Sequence, residues 1–171
     1  MVIVKNKVEE SKADALIQKI YDVCKSHPNL SPRSKKELTR AYKEGRLLLA
    51  QGKSYTEGKS YTVGWLLRIP YNEESQELAA GYVLESYRTS GVFKKLLQEA
   101  FKHATISIIV TFNKRFANYL LNKIGFKRSS LWETARISKG KFLLERAKFI
   151  RIKTIIKHYQ TNKPIYTIFT R

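Results

Sequence analysis

The sequence predicts an α/β protein built on a central mixed sheet, with two N-terminal helices and a strand–helix–strand–helix crossover in its middle. Three observations carry that prediction. Apolar residues recur at helical spacing over 10–26, and strand-forming runs follow over 47–84. The almost wholly apolar, β-branched stretch Thr105–Thr111 then lies between two helical stretches, as a buried parallel strand does.

Ala13, Leu16, Ile17, Ile20, Tyr21 and Cys24 step by three and four, so residues 10–26 form an amphipathic helix with Ser11 as its cap. His27-Pro28 ends it, because proline disfavours helix at the preceding residue. Ser31-Pro32 opens a second helix, which runs through Glu37, Leu38 and Ala41 and stops at Gly45. Leu47–Gln51 is a short strand. A polar turn around Glu57-Gly58-Lys59 leads to a second strand, Tyr61–Ile69, completing a hairpin.

Pro70–Gln76 reads as a loop, Leu78–Leu84 as a third strand and Thr89-Ser90-Gly91 as a turn. Val92–Lys102 is helical through Leu96, Leu97 and Ala100. Residues 113–123 form the next helix, closed by Gly125, and the chain is extended from Phe126. Over 140–159, Phe149, Ile152, Ile156 and Tyr159 fit a helix, while Ile150–Lys153 alternates like a strand. Length favours the helix, and Ile165–Phe169 makes a final strand.

A chain of 171 residues suits one domain, and 43% hydrophobic residues are too many for one that stays disordered. No apolar run is long enough to span a bilayer, and no signal-peptide apolar region follows Met1. A single cysteine excludes an internal disulfide, and three scattered histidines offer no metal cluster. The expectation is a reduced, cytoplasmic, metal-free domain. Its charge is unusual: 33 Lys and Arg against 14 Asp and Glu give a net +19. Such a field attracts polyanions, among them nucleic acid, ribosomes and phosphorylated cofactors, although lysines that simply solvate the surface give the same total.

The chemistry concentrates in the strand–turn–helix over 78–100. A turn feeding a helix N-terminus presents unpaired backbone N–H groups at a positive end, glycine admits a phosphate close to that backbone, and Arg88 adds a cationic fork. The run resembles the pyrophosphate loop of the GNAT acyltransferases, Arg/Gln-x-x-Gly-x-Gly/Ala after a strand ending in Val. Val83, Arg88 and Gly91 match it, and Phe93 stands at the last, small position. Ala117 through Gly125-Phe126 resembles the family's following helix and its Gly-Phe end, with Leu121 where a tyrosine is frequent.

The resemblance covers roughly residues 30–131. It implies one GNAT-like domain over 1–171, an acyl-CoA-binding core over 78–126 and a divergent basic C-terminal segment over 132–171. It also implies acetyl-CoA as co-substrate, an unknown amine acceptor and no metal. Val83, Leu84, Arg88, Thr89, Ser90, Gly91, Val92, Phe93 and Asn118 would bind the cofactor. Two strands would splay near Val83–Glu85 and Ser107–Ile109, freeing backbone groups for the pantetheine amide and the thioester carbonyl.

Among the ionisable groups near that turn, Glu85 and Glu77 are the candidate bases and Tyr82 a candidate proton donor, Glu85 being preferred because it adjoins the loop. Trp65 and Trp132 read as core or pocket wall, and Cys24 as a buried structural thiol. Nothing resembles a Ser–His–Asp set, a Walker loop or a dinucleotide fingerprint. The C-terminal segment places Lys139, Lys141, Arg146, Lys148, Arg151, Lys153, Lys157 and Lys163 against Glu145 alone, a pattern for anionic lipid or RNA as well as for a solvated face. Two functions follow: an N-acetyltransferase, or a catalytically degenerate GNAT-like domain that binds nucleic acid. The resemblance leaves a homodimer open.

Overall fold

Runs of Leu and Ala at 47–50 and of Val, Trp, Leu and Ile at 63–69 make buried strands, and their neighbours on either side set the rest of the fold. The computed structural model describes residues 2–8, 10–27, 30–53, 60–147 and 163–171. Seven described strands hydrogen-bond in the order β1-β2-β3-β4-β5-β7-β6, and six described helices accompany them. The chain divides into two compact units, Met1–Arg68 with Ala80–His103, and Ile69–Ala79 with Ala104–Arg171.

In the first unit, β1 (Ile3–Lys5) pairs antiparallel with β2 (Leu47–Lys53), which pairs antiparallel with β3 (Ser60–Pro70). Helix α1 (Glu10–Ser26) buries Ile17, Ile20 and Cys24, and α2 (Lys35–Lys43) buries Leu38 and Ala41. Each such Leu or Ile contributes roughly 1.5–3 kcal/mol by leaving water. Ser11 lies inside α1 and is not its cap. Helix α2 likewise starts later than Pro32, because Ser34 is extended and its hydroxyl accepts the N–H of Glu37, a stronger start signal than the proline. The end of β4 (Ser75–Val83) and helix α3 (Val92–Ala100) complete this unit, burying Val83, Val92, Leu96 and Leu97.

The second unit begins with a tight turn. Asn72 Oδ1 accepts the N–H groups of Glu74 and Ser75, and the N–H groups of Tyr71 and Asn72 donate to Ser75 O. The expected loop over Pro70–Gln76 is therefore shorter, and β4 starts at Ser75. β4 pairs parallel with β5 (Ile106–Thr111) from Ser75↔Ile106 to Glu77↔Ile108. On its other edge β5 pairs antiparallel with β7 (Ile165–Thr170) along its whole length, and β7 pairs with β6 (Lys127–Ser129). The β4–β5 ladder ends at Glu77, so on β4 the strands part earlier than Val83; Ala80, in the left-handed region at φ 48°, bends the strand.

Helix α4 (Lys114–Tyr119) is capped by Asn113 and widens into a π-turn over Leu120–Ile124, ending at Gly125 with φ 96°. Two short helices follow that periodicity did not announce, α5 (Leu131–Ile137) and α6 (Lys141–Arg146). Phe149, Ile152, Ile156 and Tyr159, expected in a C-terminal helix, lie outside the described residues. Trp65 is fully buried as expected, whereas Trp132 is 77% exposed and is no core residue. Among the described residues, no helix is long and apolar enough to cross a membrane.

Candidate functional site

The turn between β4 and α3 is assembled from local contacts. After Val83 the N–H of Leu84 donates to Val63 O, which fastens the strand end to β3. Gly64 permits this, since a side chain there would come within 2.8 Å of Tyr82 O. A single helical turn, Glu85–Tyr87, redirects the chain, and Ser90 Oγ donates to Tyr87 O. Gly91 then adopts φ 75°, a left-handed value that glycine adopts without steric cost, and α3 begins at Val92 with no side-chain cap. The first-turn N–H groups of such a helix point out of it and carry its positive end-charge. A Cβ placed on Gly91 would meet nothing within 4 Å, so the space over the turn is open.

Arg88 is held beside this turn. Its Nε–H donates to Val83 O at 3.4 Å, its Nη1 lies 3.6 Å from Glu85, and its guanidinium lies 6.0 Å from the centre of the Tyr82 ring. Half of the side chain stays exposed. Tyr82 stacks on Trp65 at 4.8 Å and meets the edge of His27 at 5.6 Å. Tyr82 thus lies beside Trp65, His27 and the Arg88 guanidinium. Thr89 and Ser90 are exposed, whereas Val83 and Val92 are buried and Leu84 half-buried. Phe93, the bulky residue at the small position, turns inward: its ring lies where a side chain on Gly81 would need to be, 2.9 Å from that Cβ.

Glu77 sits in a different environment. It is 3% exposed, and Arg146 holds both its oxygens, at 2.6 and 3.2 Å, while the Tyr71 hydroxyl also donates to it. Burial first, and the Glu77 carboxylate second, push the Tyr71 phenol far above the usual tyrosine range. For Arg146 burial alone would lower the pKa, but the Glu77 carboxylate outweighs it and the guanidinium is held more firmly charged. Phe142 adds its ring 4.4 Å from the Arg146 guanidinium. The cluster ties α6 to β4 with a paired charge. Glu85 is the opposite case, with a side chain 89% exposed.

Sequence reasoning therefore brings Val83, Leu84, Glu85, Arg88, Thr89, Ser90, Gly91, Val92 and Phe93 to one turn, with Tyr82 beneath Arg88. It does not foresee Tyr71 or Arg146 as partners of Glu77, and no local pattern marks them. Asn118 lines a cleft of about 660 Å³ in the second unit, together with Lys114, Arg128, Ser129, Lys163 and Tyr166. Cys24 is buried, and burial chiefly raises its thiol pKa to about 11, so it is not a nucleophile at neutral pH. Burial, with Arg68 nearby, lowers the pKa of His103. Among the described residues, no three His, Cys, Asp or Glu side chains gather as a metal site would require.

Solved structures align with nearly the whole chain, and several of them hold CoA. The protein Rv2747 from Mycobacterium tuberculosis, in complex with CoA, aligns at a TM-score of 0.66 and 15% identity over 99% of both chains. The NatC complex bound to Gag peptide and CoA aligns at 0.64 and 16% identity, over 99% of this chain and 98% of that one. N-acetylglutamate synthase from Neisseria gonorrhoeae, complexed with coenzyme A and N-acetyl-glutamate, aligns at 0.64 and 10% identity; the chain spans 35% of its length. Neither a protein-family model nor a curated protein sequence matches the chain. The chain has the GNAT acyl-CoA N-acyltransferase fold.

Proposed function

We propose that the chain is an N-acyltransferase that moves an acetyl group from acetyl-CoA to an acceptor amine. The observation that supports this best is the β4–α3 turn: a left-handed Gly91, an uncapped α3 N-terminus and a half-exposed, anchored Arg88 around open space. Those features suit a pyrophosphate, which takes backbone N–H donors and a guanidinium fork together. The CoA-bound acetyltransferases of the same fold support the same reading at the level of the fold. The whole chain would then serve as one acyltransferase domain.

In the proposed reaction the acceptor nitrogen attacks the thioester carbonyl carbon, a base takes the amine proton, the C–S bond breaks, and the departing CoA thiolate takes up that proton to leave as the thiol. The chain's contribution is positioning and polarisation. Beyond Glu77 the β4–β5 ladder ends, and the backbone groups of β4 that this leaves without a β5 partner are the proposed donors to the carbonyl oxygen and acceptors of the pantetheine amide. Glu85, exposed beside Arg88, is the proposed base, directly or through water. Glu77 acts only as a positioning residue, because both its oxygens are occupied.

Thermal unfolding with acetyl-CoA tests the proposal. Ligand at a hundredfold its Kd adds about 2.7 kcal/mol of stability, and Arg88→Ala should remove at least about half of that gain at the same ligand concentration. No rise in melting temperature at millimolar acetyl-CoA overturns it. The sealing of Glu77 favours a second reading, binding of acyl-CoA without efficient chemistry. That reading predicts the same thermal shift but no release of free thiol from acetyl-CoA across a panel of small amines and peptide N-termini.

A further inference from the structure

The cleft in the second unit is built unlike the turn just described. Lys114 lies at the start of α4, Arg128 on β6 and Lys163 just before β7, and all three converge on one concavity of about 660 Å³. Asn118, Ser129 and Tyr166 add an amide, a hydroxyl and a phenol, and among the described residues no carboxylate lines the cavity. Among the described residues, none of the three cations has an ion-pair partner. Three like charges gathered on one concavity, with the carboxylate of Glu133 only at its edge, make an anion the favoured occupant of the cleft. The cleft is open to solvent, so an extended ligand with more than one phosphate could engage the separate cations.

A second observation selects the kind of anion. Ser129 Oγ donates to Glu133 Oε2 at 2.7 Å, which fixes the first turn of α5 at the cleft's edge. Trp132 lies in that turn, three residues from Ser129, so their Cα atoms are no more than about 11 Å apart. Its indole is 77% exposed, the most exposed large apolar side chain among the described residues. An indole held in water next to a cationic cleft is the pairing that binds unpaired nucleic acid, with cations on the phosphates and an aromatic face for a base. A duplex offers its phosphates but not its base faces. The net charge of +19 supplies the long-range attraction.

We propose that the cleft between α4, β6 and the start of β7, with Trp132 at its edge, is a binding site for single-stranded nucleic acid. The proposal stands whether or not the chain transfers acyl groups.

The test uses the full chain and a fluorescent twelve-residue oligouridylate, with affinity read by anisotropy at several salt concentrations. Three phosphate contacts on a single strand give a log–log salt slope of about −2, so affinity should fall about twentyfold between 50 and 200 mM salt. Arg128→Ala and Lys163→Ala should each reduce the magnitude of the slope by about 0.7. Trp132→Ala should weaken binding about fivefold or more at fixed salt and leave the slope unchanged. Lys36→Ala, an equal loss of charge from the exposed face of α2, should leave the slope as it was. Circular dichroism melts check that each variant is folded. Absent binding overturns the proposal, as do cleft variants that bind like the parent or equal affinity for a duplex of the same length. Displacement of the oligonucleotide by saturating CoA also overturns it, since the cleft would then belong to the cofactor.

Discussion

Two arginine–glutamate pairs in this molecule sit in opposite environments. Arg146 meets Glu77 at 2.6 and 3.2 Å, with the carboxylate side chain 4% exposed, and the Tyr71 hydroxyl completes the set. Arg88 meets Glu85 at 3.6 Å, with the side chains 50% and 89% exposed. A buried pair of the first kind is kept by the cost of breaking it, because either partner left alone is a charge without water. The exposed pair is worth little to stability, so its arginine is free to exchange one carboxylate for a better anion. A charged pair close enough to name can therefore be a fastening or a waiting site, and burial decides which.

The largest test is to break the fastening. Glu77→Ala should destabilise the fold by about 3–5 kcal/mol, seen as a shift in urea midpoint, because it strands the Arg146 guanidinium and the Tyr71 hydroxyl. The double variant Glu77→Leu with Arg146→Met should recover most of that loss; failure to recover would mean that the cluster does more than neutralise its own charges. Arg88→Ala sharpens the contrast from the other side. It should change stability by no more than about 0.5 kcal/mol, while weakening acetyl-CoA binding by about 1.5–3 kcal/mol, the usual worth of a hydrogen bond to a charged group. Calorimetry and a urea titration on one preparation read both numbers.

Tyr71→Phe probes the fastening through pH. At neutral pH it should cost about 1.5–3 kcal/mol, since the hydroxyl donates to a carboxylate. The folded-state pKa of Tyr71 lies above that of the unfolded chain, so the neutral phenol stabilises the fold fully below about pH 10. Above that pH the unfolded chain ionises first and the contribution is lost. The parent should therefore lose stability between pH 9.5 and 11 more steeply than Tyr71→Phe, by up to about 1.4 kcal/mol per pH unit.

The same contrast explains what the sequence shows and what it hides. The β4–α3 turn is written in consecutive residues: Val83 ends a strand, Arg88 and Gly91 follow, and Leu96 and Leu97 start a periodic helix. Each signal is local, so it survives without knowledge of the rest. The Glu77 cluster joins residues 69 apart in sequence, and Arg146 is one cation in a long basic run, so nothing nearby identifies its partner. Short elements were hidden for another reason. β1 has three residues, and α5 and α6 have seven and six, too few turns for periodicity to stand out. Phe93 looks like a misfit by motif and fits by packing, because the space it needs is left by Gly81 twelve residues earlier.

Gly91 carries the smallest effect and the finest distinction. Its φ of 75° makes alanine strained, yet a Cβ there would touch nothing within 4 Å. Gly91→Ala should therefore cost only the conformational term, about 1–2 kcal/mol of stability. Asparagine tolerates the left-handed region better, so Gly91→Asn should recover much of that loss. If the open space over the turn is where a pyrophosphate approaches the backbone, neither variant regains acetyl-CoA affinity, because any side chain occupies the approach. Stability restored by asparagine with affinity still weakened would separate the two roles of this glycine. Stability and affinity restored together would mean that Gly91 only shapes the turn, and that the cofactor is held by Arg88 and its neighbours without close contact to the backbone.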